Sequence, residues 1–325
     1  MRLLTLLFCL LLSMGGTARA QPAAPIGTGL AEHLLNRTGY GPAPGEVARV
    51  RALGVQAWVD SQLDPPPMPP RLEERLRALP GPEAALLRAI ASPRQLEAVL
   101  AQFWLDYFKG DESAGELLRP QVLRRYADLH AALGQGRPVS GEREALRALV
   151  RHFVSLPSAG LQGSLWRVWE STQGDQRAVL RRLLTSPEFL ASSQWQGKRK
   201  DGLRFVASAV RASGLAVENV TPLMAFVRDP LPDARRAEFV ERLATGRLAL
   251  AMAPVQPHEY ASSAPPLRAN VGGEAGQGTV SQPGPVLMAA PTPSAAAMAA
   301  AAARSQPLLP ERLRERLHKQ DFLRY

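Results

Sequence analysis

Over residues 22–252 the chain spaces its apolar side chains by three and four, and no segment alternates apolar with polar residues as a half-buried strand would. That periodicity predicts an all-α fold built from short amphipathic helices. Ser92-Pro93-Arg94-Gln95 reads as a helix start, with Ser92 as N-cap, Pro93 in the first turn and Gln95 as the capping-box partner. The helix it opens carries Leu96, Val99, Leu100, Phe103, Trp104 and Tyr107 on one face. A second stripe runs Leu118, Val122, Tyr126, Leu129 and Leu133, with Pro120 in its first turn or at a kink. Three more follow: Leu146, Leu149, Val150 and Phe153; Leu161, Leu165, Val168 and Trp169; and Val179, Leu180, Leu183 and Leu184. Each stripe needs a neighbouring helix to bury it.

Glycine and proline separate these pieces, at residues 39–44, 134–141, 157–160 and in the run Asp64-Pro65-Pro66-Pro67-Met68-Pro69-Pro70. The last reads as a polyproline-II spacer. Residues 253–303 have a different character, because more than half of them are Ala, Pro or Gly and three are charged, Glu259, Arg268 and Glu274. Too little apolar side chain is present there to offset ordering entropy, which predicts disorder. The expected organisation is a leader at 1–20, an irregular multi-helix domain at 21–252, a low-complexity disordered linker at 253–306 and an amphipathic helix at 307–325. That last helix carries Leu313, Leu317 and Phe322 and is expected either to dock on the domain or to reach a partner.

The leader reads as a secretory signal peptide. Met1-Arg2 precedes an apolar run of about a dozen residues, too short to span a bilayer, and Ala18-Arg19-Ala20 supplies the cleavage site. A periplasmic or secreted location follows as the expectation, with no transmembrane segment left after cleavage. Cleavage also removes Cys9, the sole cysteine, so a disulfide, a cysteine nucleophile and a thiolate metal site are excluded. It removes two of the 39 basic residues and none of the 29 acids, lowering the formal charge from +10 to +8. Four of the basic residues are Lys and the arginines are scattered, a pattern closer to a GC-rich codon bias than to a nucleic-acid surface, so no nucleic-acid partner is expected.

Motifs that carry chemistry are scarce. His33, His130, His152, His258 and His318 form no His-Glu-x-x-His arrangement, and neither a nucleophile elbow nor a phosphate loop is present. No metal site and no cofactor is expected. Asp106, Asp111 and Glu112 lie close in sequence, but Asp106 falls inside a helix beside Trp104, while Asp111 and Glu112 start the next segment and read as helix-start carboxylates. Lys198-Arg199-Lys200 is the one basic cluster and the candidate binding site, for an anionic sugar, a lipid phosphate or a partner's carboxylate, against the plainer reading of a solvated turn.

Several pieces together resemble an exported bacterial family, domain of unknown function 1800. His33-Leu34-Leu35-Asn36-Arg37-Thr38-Gly39-Tyr40-Gly41-Pro42 is similar to that family's opening, and Leu53-Gly54, Ala57-Trp58 and Gln62-Leu63 to its next helices. Gln102-Phe103-Trp104-Leu105-Asp106-Tyr107-Phe108 resembles its Phe-Trp-x-Asn-His-Phe helix. Phe153-Val154-Ser155, the stretch from Gly174-Asp175-Gln176-Arg177 to Ser186-Pro187-Glu188-Phe189, and Lys198 and Lys200 before Arg211-Ala212-Ser213-Gly214 resemble its C-terminal half. Two departures stand out. Asp106-Tyr107 replaces the family's Asn-His, and a long central block expected between Leu133 and Arg143 is replaced by a short loop. The resemblance implies a mostly helical fold, an envelope location and a second exported protein encoded nearby as partner; it assigns no reaction. The leading expectation is an exported, non-enzymatic binding or assembly partner in the bacterial envelope. Its rivals are a hydrolase or accessory enzyme on envelope polysaccharide using Asp106 and Glu188, and an anion-binding module for acidic glycan or lipopolysaccharide using Lys198, Arg199 and Lys200.

Overall fold

The computed structural model describes residues 25–133, 141–250 and 310–325. The leader, the 253–306 linker and most of the 134–141 break lie outside the described residues. Fifteen α-helices account for the described chain: α1 Thr28–Arg37, α2 Glu46–Leu63, α3 Pro70–Ala78, α4 Gly81–Ala91, α5 Gln95–Tyr107, α6 Glu112–Leu118, α7 Tyr126–Ala132, α8 Glu142–Phe153, α9 Ala159–Ser171, α10 Gln176–Leu184, α11 Pro187–Leu190, α12 Gly202–Ser213, α13 Thr221–Met224, α14 Asp233–Ala244 and α15 Pro310–His318. Among these residues there is no strand; two isolated antiparallel bridges, Arg125 with Asp175 and Arg199 with Arg324, are the extended pairings. The fold is all-α. No helix of the described residues is long and apolar enough to cross a membrane.

The expected stripes are the core. Leu96, Val99, Leu100 and Trp104 of α5, Leu149, Val150 and Phe153 of α8, Leu165 and Trp169 of α9, and Val179, Leu180, Leu183 and Leu184 of α10 are all buried. Each such side chain contributes about 1.5–3 kcal/mol on burial. Trp104 and Trp169 both pack tilted against Tyr126, with ring centroids 5.6 and 5.3 Å away, and Trp104 Nε1 donates to Gln176 Oε1 at 2.8 Å. This polar bond inside the aromatic cluster ties α5 to α10.

Three boundaries differ from the sequence reading. Ser92 is not the cap of α5. Its Oγ accepts from Arg94 N at 3.0 Å and the helix begins at Gln95, whose amide is spent on Ser92 O, on Ala89 O and on Tyr40 N. The Leu118–Leu133 stripe is not one helix, because Pro120 cannot continue α6 and sits in a 3-10 turn, Arg119–Gln121, before α7 restarts at Tyr126. Finally, α2 is kinked at Gly54, which has φ 78° and ψ 171°, a backbone state that favours glycine. Asp111, by contrast, caps α6 as expected, accepting from Ala114 N at 3.0 Å.

Helix α12 is the pivot of the molecule. Residues along nearly its whole length are buried, and Asp201 caps its start by accepting from Arg204 N at 2.7 Å. Its arginines staple the chain's beginning to it: Arg211 donates to Gly41 O and Ile90 O and pairs with Glu46, while Arg204 donates to Gly39 O at 2.9 Å and Asn36 O at 3.2 Å. Against α12 and α14 lies α15, with Leu313 and Leu317 buried and Arg314 paired with Glu241 at 2.9 Å. The terminal helix therefore docks on the domain.

Candidate functional site

Residues 198–200 run extended between the 3-10 turn Ser192–Gln194 and α12. After α15, a second 3-10 turn, Gln320–Leu323, brings the chain back across this segment. Lys198 N donates to Tyr325 O at 2.9 Å, Tyr325 N to Lys198 O at 2.8 Å, and Lys200 N to Leu323 O at 2.9 Å. An extended backbone sends alternate side chains to opposite sides. Lys198 and Lys200 consequently turn inward while Arg199, 69% exposed, reaches solvent and comes within 3.9 Å of Asp233.

The three basic residues thus do not form one surface patch, and the reading of them as a single cluster is corrected. Lys198 Nζ donates to Arg151 O at 2.6 Å and His152 O at 2.8 Å, capping the carbonyl end of α8. Desolvation, with Arg37 and Arg204 nearby, pulls the Lys198 pKa down to about 8. Lys200 donates to Ser208 Oγ at 3.1 Å and stands 3.9 Å above the Phe322 ring. Burial, then Arg204 and Arg316, bring its pKa down to about 7.

Behind this segment lie two arginines that sequence reasoning did not single out. The Tyr325 ring is 5.0 Å from the Arg37 guanidinium and 4.2 Å from that of Arg204, so one aromatic ring contacts two cations. Arg37 is 1% exposed and donates through Nη2 to Gln194 O at 3.0 Å; burial lowers its pKa to about 10. Arg204 also faces Tyr40, 5.2 Å away, and burial drives the Tyr40 hydroxyl's pKa up. For Arg37 the detectable signal was a charge inside an apolar stripe, three residues after Leu34, whereas Arg204 shares its helix face with Ser208 and Arg211, which are polar and buried as well.

Two histidines border these cations. His33 Nε2 is 2.8 Å from Phe189 O, which places its proton there, and desolvation with Arg37 lowers its pKa to about 4. His152 packs against Phe103 and Phe153, and burial, then Arg204, Lys198 and Arg37, hold it well below the usual imidazole value. Both are neutral at pH 7. Of the other histidines, His130 edges Phe108, His318 borders the groove beside α14 and His258 lies outside the described residues.

The acids proposed for hydrolysis are engaged separately. Glu188 holds the start of α9, accepting from Ser158 N at 3.0 Å and from Ser158 Oγ. Asp106 accepts from Gln102 at 2.9 Å, and burial, with Asp201 nearby, raises its pKa. Among the described residues no three His, Cys, Asp or Glu side chains gather as a metal site. A groove of about 480 Å³ lies between α14 and the terminal segment, lined among others by Arg199, Asp233, Arg236, Leu317 and Arg324.

No curated protein and no solved structure matches the chain significantly. A family model described as protein of unknown function, DUF1800, matches residues 33–136 and 143–265, a span that includes Arg37, Lys198, Lys200 and Arg204. The chain belongs to the DUF1800 family.

Proposed function

We infer that the protein is an exported, non-enzymatic binding or assembly partner in the bacterial envelope. The observation that carries this reading is how residues 310–325 sit on the domain. An amphipathic helix buries Leu313 and Leu317 against α12 and α14, and the residues after it pair by backbone hydrogen bonds with residues 198–200. Helix-in-groove packing and strand addition are the two general ways in which proteins receive peptides. This face uses both, on a chain segment separated from α14 by more than sixty residues. In this reading a partner's segment of the same kind takes this face in exchange for residues 310–325.

Glu188 and Asp106, the residues a hydrolase would need, are committed to Ser158 and to Gln102. The leader sequence and the short loop in place of the family's central block agree with an exported, non-catalytic role. The test is to incubate the purified protein with an extract of the source cells' envelope, with wild-type and Asp106→Asn chains assayed side by side for release of reducing ends. The account expects one exported protein or envelope polymer to be retained in fixed stoichiometry and no sugar release. Release of reducing ends that Asp106→Asn abolishes contradicts it.

A further inference from the structure

Five polar atoms without a hydrogen-bond partner from the protein are buried in one neighbourhood: Arg37 Nε, Arg37 Nη1 and Ser155 Oγ, which can donate, His33 Nδ1, which can only accept because the ring proton is on Nε2, and His152 Nε2. Gly197 sits between two of the residues. A methyl group placed on it would stand 3.1 Å from Ser155 Oγ and 3.3 Å from Arg37 Nη2, so the chain crosses this site where a larger residue would crowd it. Native proteins pair nearly all their buried polar groups, so several unpaired ones together call for an explanation.

Charge adds to this. Arg37, Lys198 and Arg204 depress one another or the neighbouring histidines, Tyr325 offsets part of this at Arg37, and among the described residues none of the three has an Asp or Glu carboxylate within ion-pair distance. Backbone carbonyls satisfy part of the demand: Gln194 O for Arg37, Asn36 O and Gly39 O for Arg204, Arg151 O and His152 O for Lys198. Two guanidinium nitrogens of Arg37 are left over. The nearby carboxylates, Asp201 and Asp106, are spent on the α12 cap and on Gln102. A buried cation without a full counter-charge is costly, and an anion at the site would offset that cost.

We propose that Arg37, Lys198 and Arg204, with Ser155 beside them and the Tyr325 ring as their cover, form a binding site for a small oxyanion: a phosphate, sulfate or carboxylate group. The chemistry fits the donors present. Guanidinium and ammonium groups give charge-assisted hydrogen bonds to such oxygens, and a hydroxyl adds a neutral one. This goes beyond the binding or assembly role and stands whether or not a partner protein exists. It also differs in place from a surface patch on residues 198–200, since Arg199 takes no part.

The full chain is titrated with inorganic phosphate by calorimetry and by phosphorus NMR at fixed ionic strength, with chloride as the reference and sulfate and acetate as further arms. The expected result is one saturable site for phosphate, with sulfate and acetate ranking the oxyanions it accepts. Lys198→Met and Ser155→Ala leave the Arg37 packing in place; Lys198→Met should weaken binding about tenfold, the loss of one charge-assisted hydrogen bond. Arg199→Met should change it less than about twofold, as for an exposed charge. Absence of saturable binding by all three anions, with the buried donors then satisfied by water, overturns the proposal. So does weakening by Arg199→Met that equals that by Lys198→Met.

Discussion

His33 and His152 set how the protein responds to acid. Both are buried and neutral when folded, so the unfolded chain binds more protons between their lowered values and the ordinary imidazole value. The histidines' contribution to stability is therefore complete above about pH 6.5 and falls as pH drops toward 4, where His33 contributes about 3 kcal/mol of the loss. Urea melts at pH 7, 5.5 and 4.5 should show midpoints falling in that order, and His33→Gln should flatten the trend. Lys200 obeys the same sign higher up: its lowered pKa means the folded state gains stability as pH rises through about 7, until the unfolded chain also loses its proton. In the Trp104–Gln176 pair, Trp104→Phe keeps the ring but strands a buried acceptor, and should cost about 1–3 kcal/mol in the same melts. The pair joins residues 72 positions apart, and nothing local in the sequence announces it.

At the level of elements, the apolar stripes were legible because their spacing reports directly which face is buried. Stops were less so. Pro93 follows a good capping residue, yet α5 starts at Gln95, whose side chain holds Tyr40 N, Ala89 O and Ser92 O instead of closing a capping box. Pro120 was read as a bend but acts as a break, since the turn at residues 119–125 lets Arg124 O and Arg125 reach the Gly174–Gln176 turn. Gly54 lies inside α2 with a positive φ, a state that glycine adopts at little cost and that the spacing of the apolar residues does not announce. Gly54→Ala should therefore cost about 1–2 kcal/mol, measured by thermal or urea melts, whereas an alanine elsewhere on an exposed helix face should be near neutral. Asp201→Ala removes the α12 cap, and about 1 kcal/mol of loss is expected.

At the scale of the whole molecule, the sequence shows an all-helical domain with a terminal amphipathic helix, and the family relation can be read from motifs spread along it. The cationic site cannot, because its members come from α1, from the end of α8, from residues 197–200, from α12 and from the last residue of the chain, and only folding brings them together. Residues 198–200 were conspicuous as a charge run, but strand-like alternation hides two of the three. The docking of residues 310–325 underlies both the inferred binding role and the cover over Arg37 and Arg204. Amide hydrogen exchange tests it directly, comparing the full chain with one that stops after Lys319. The account predicts that the Lys198 and Lys200 amides, which donate to Tyr325 O and Leu323 O, exchange slowly in the full chain and lose that protection in the shortened one. Equal exchange of these amides in both chains would contradict it.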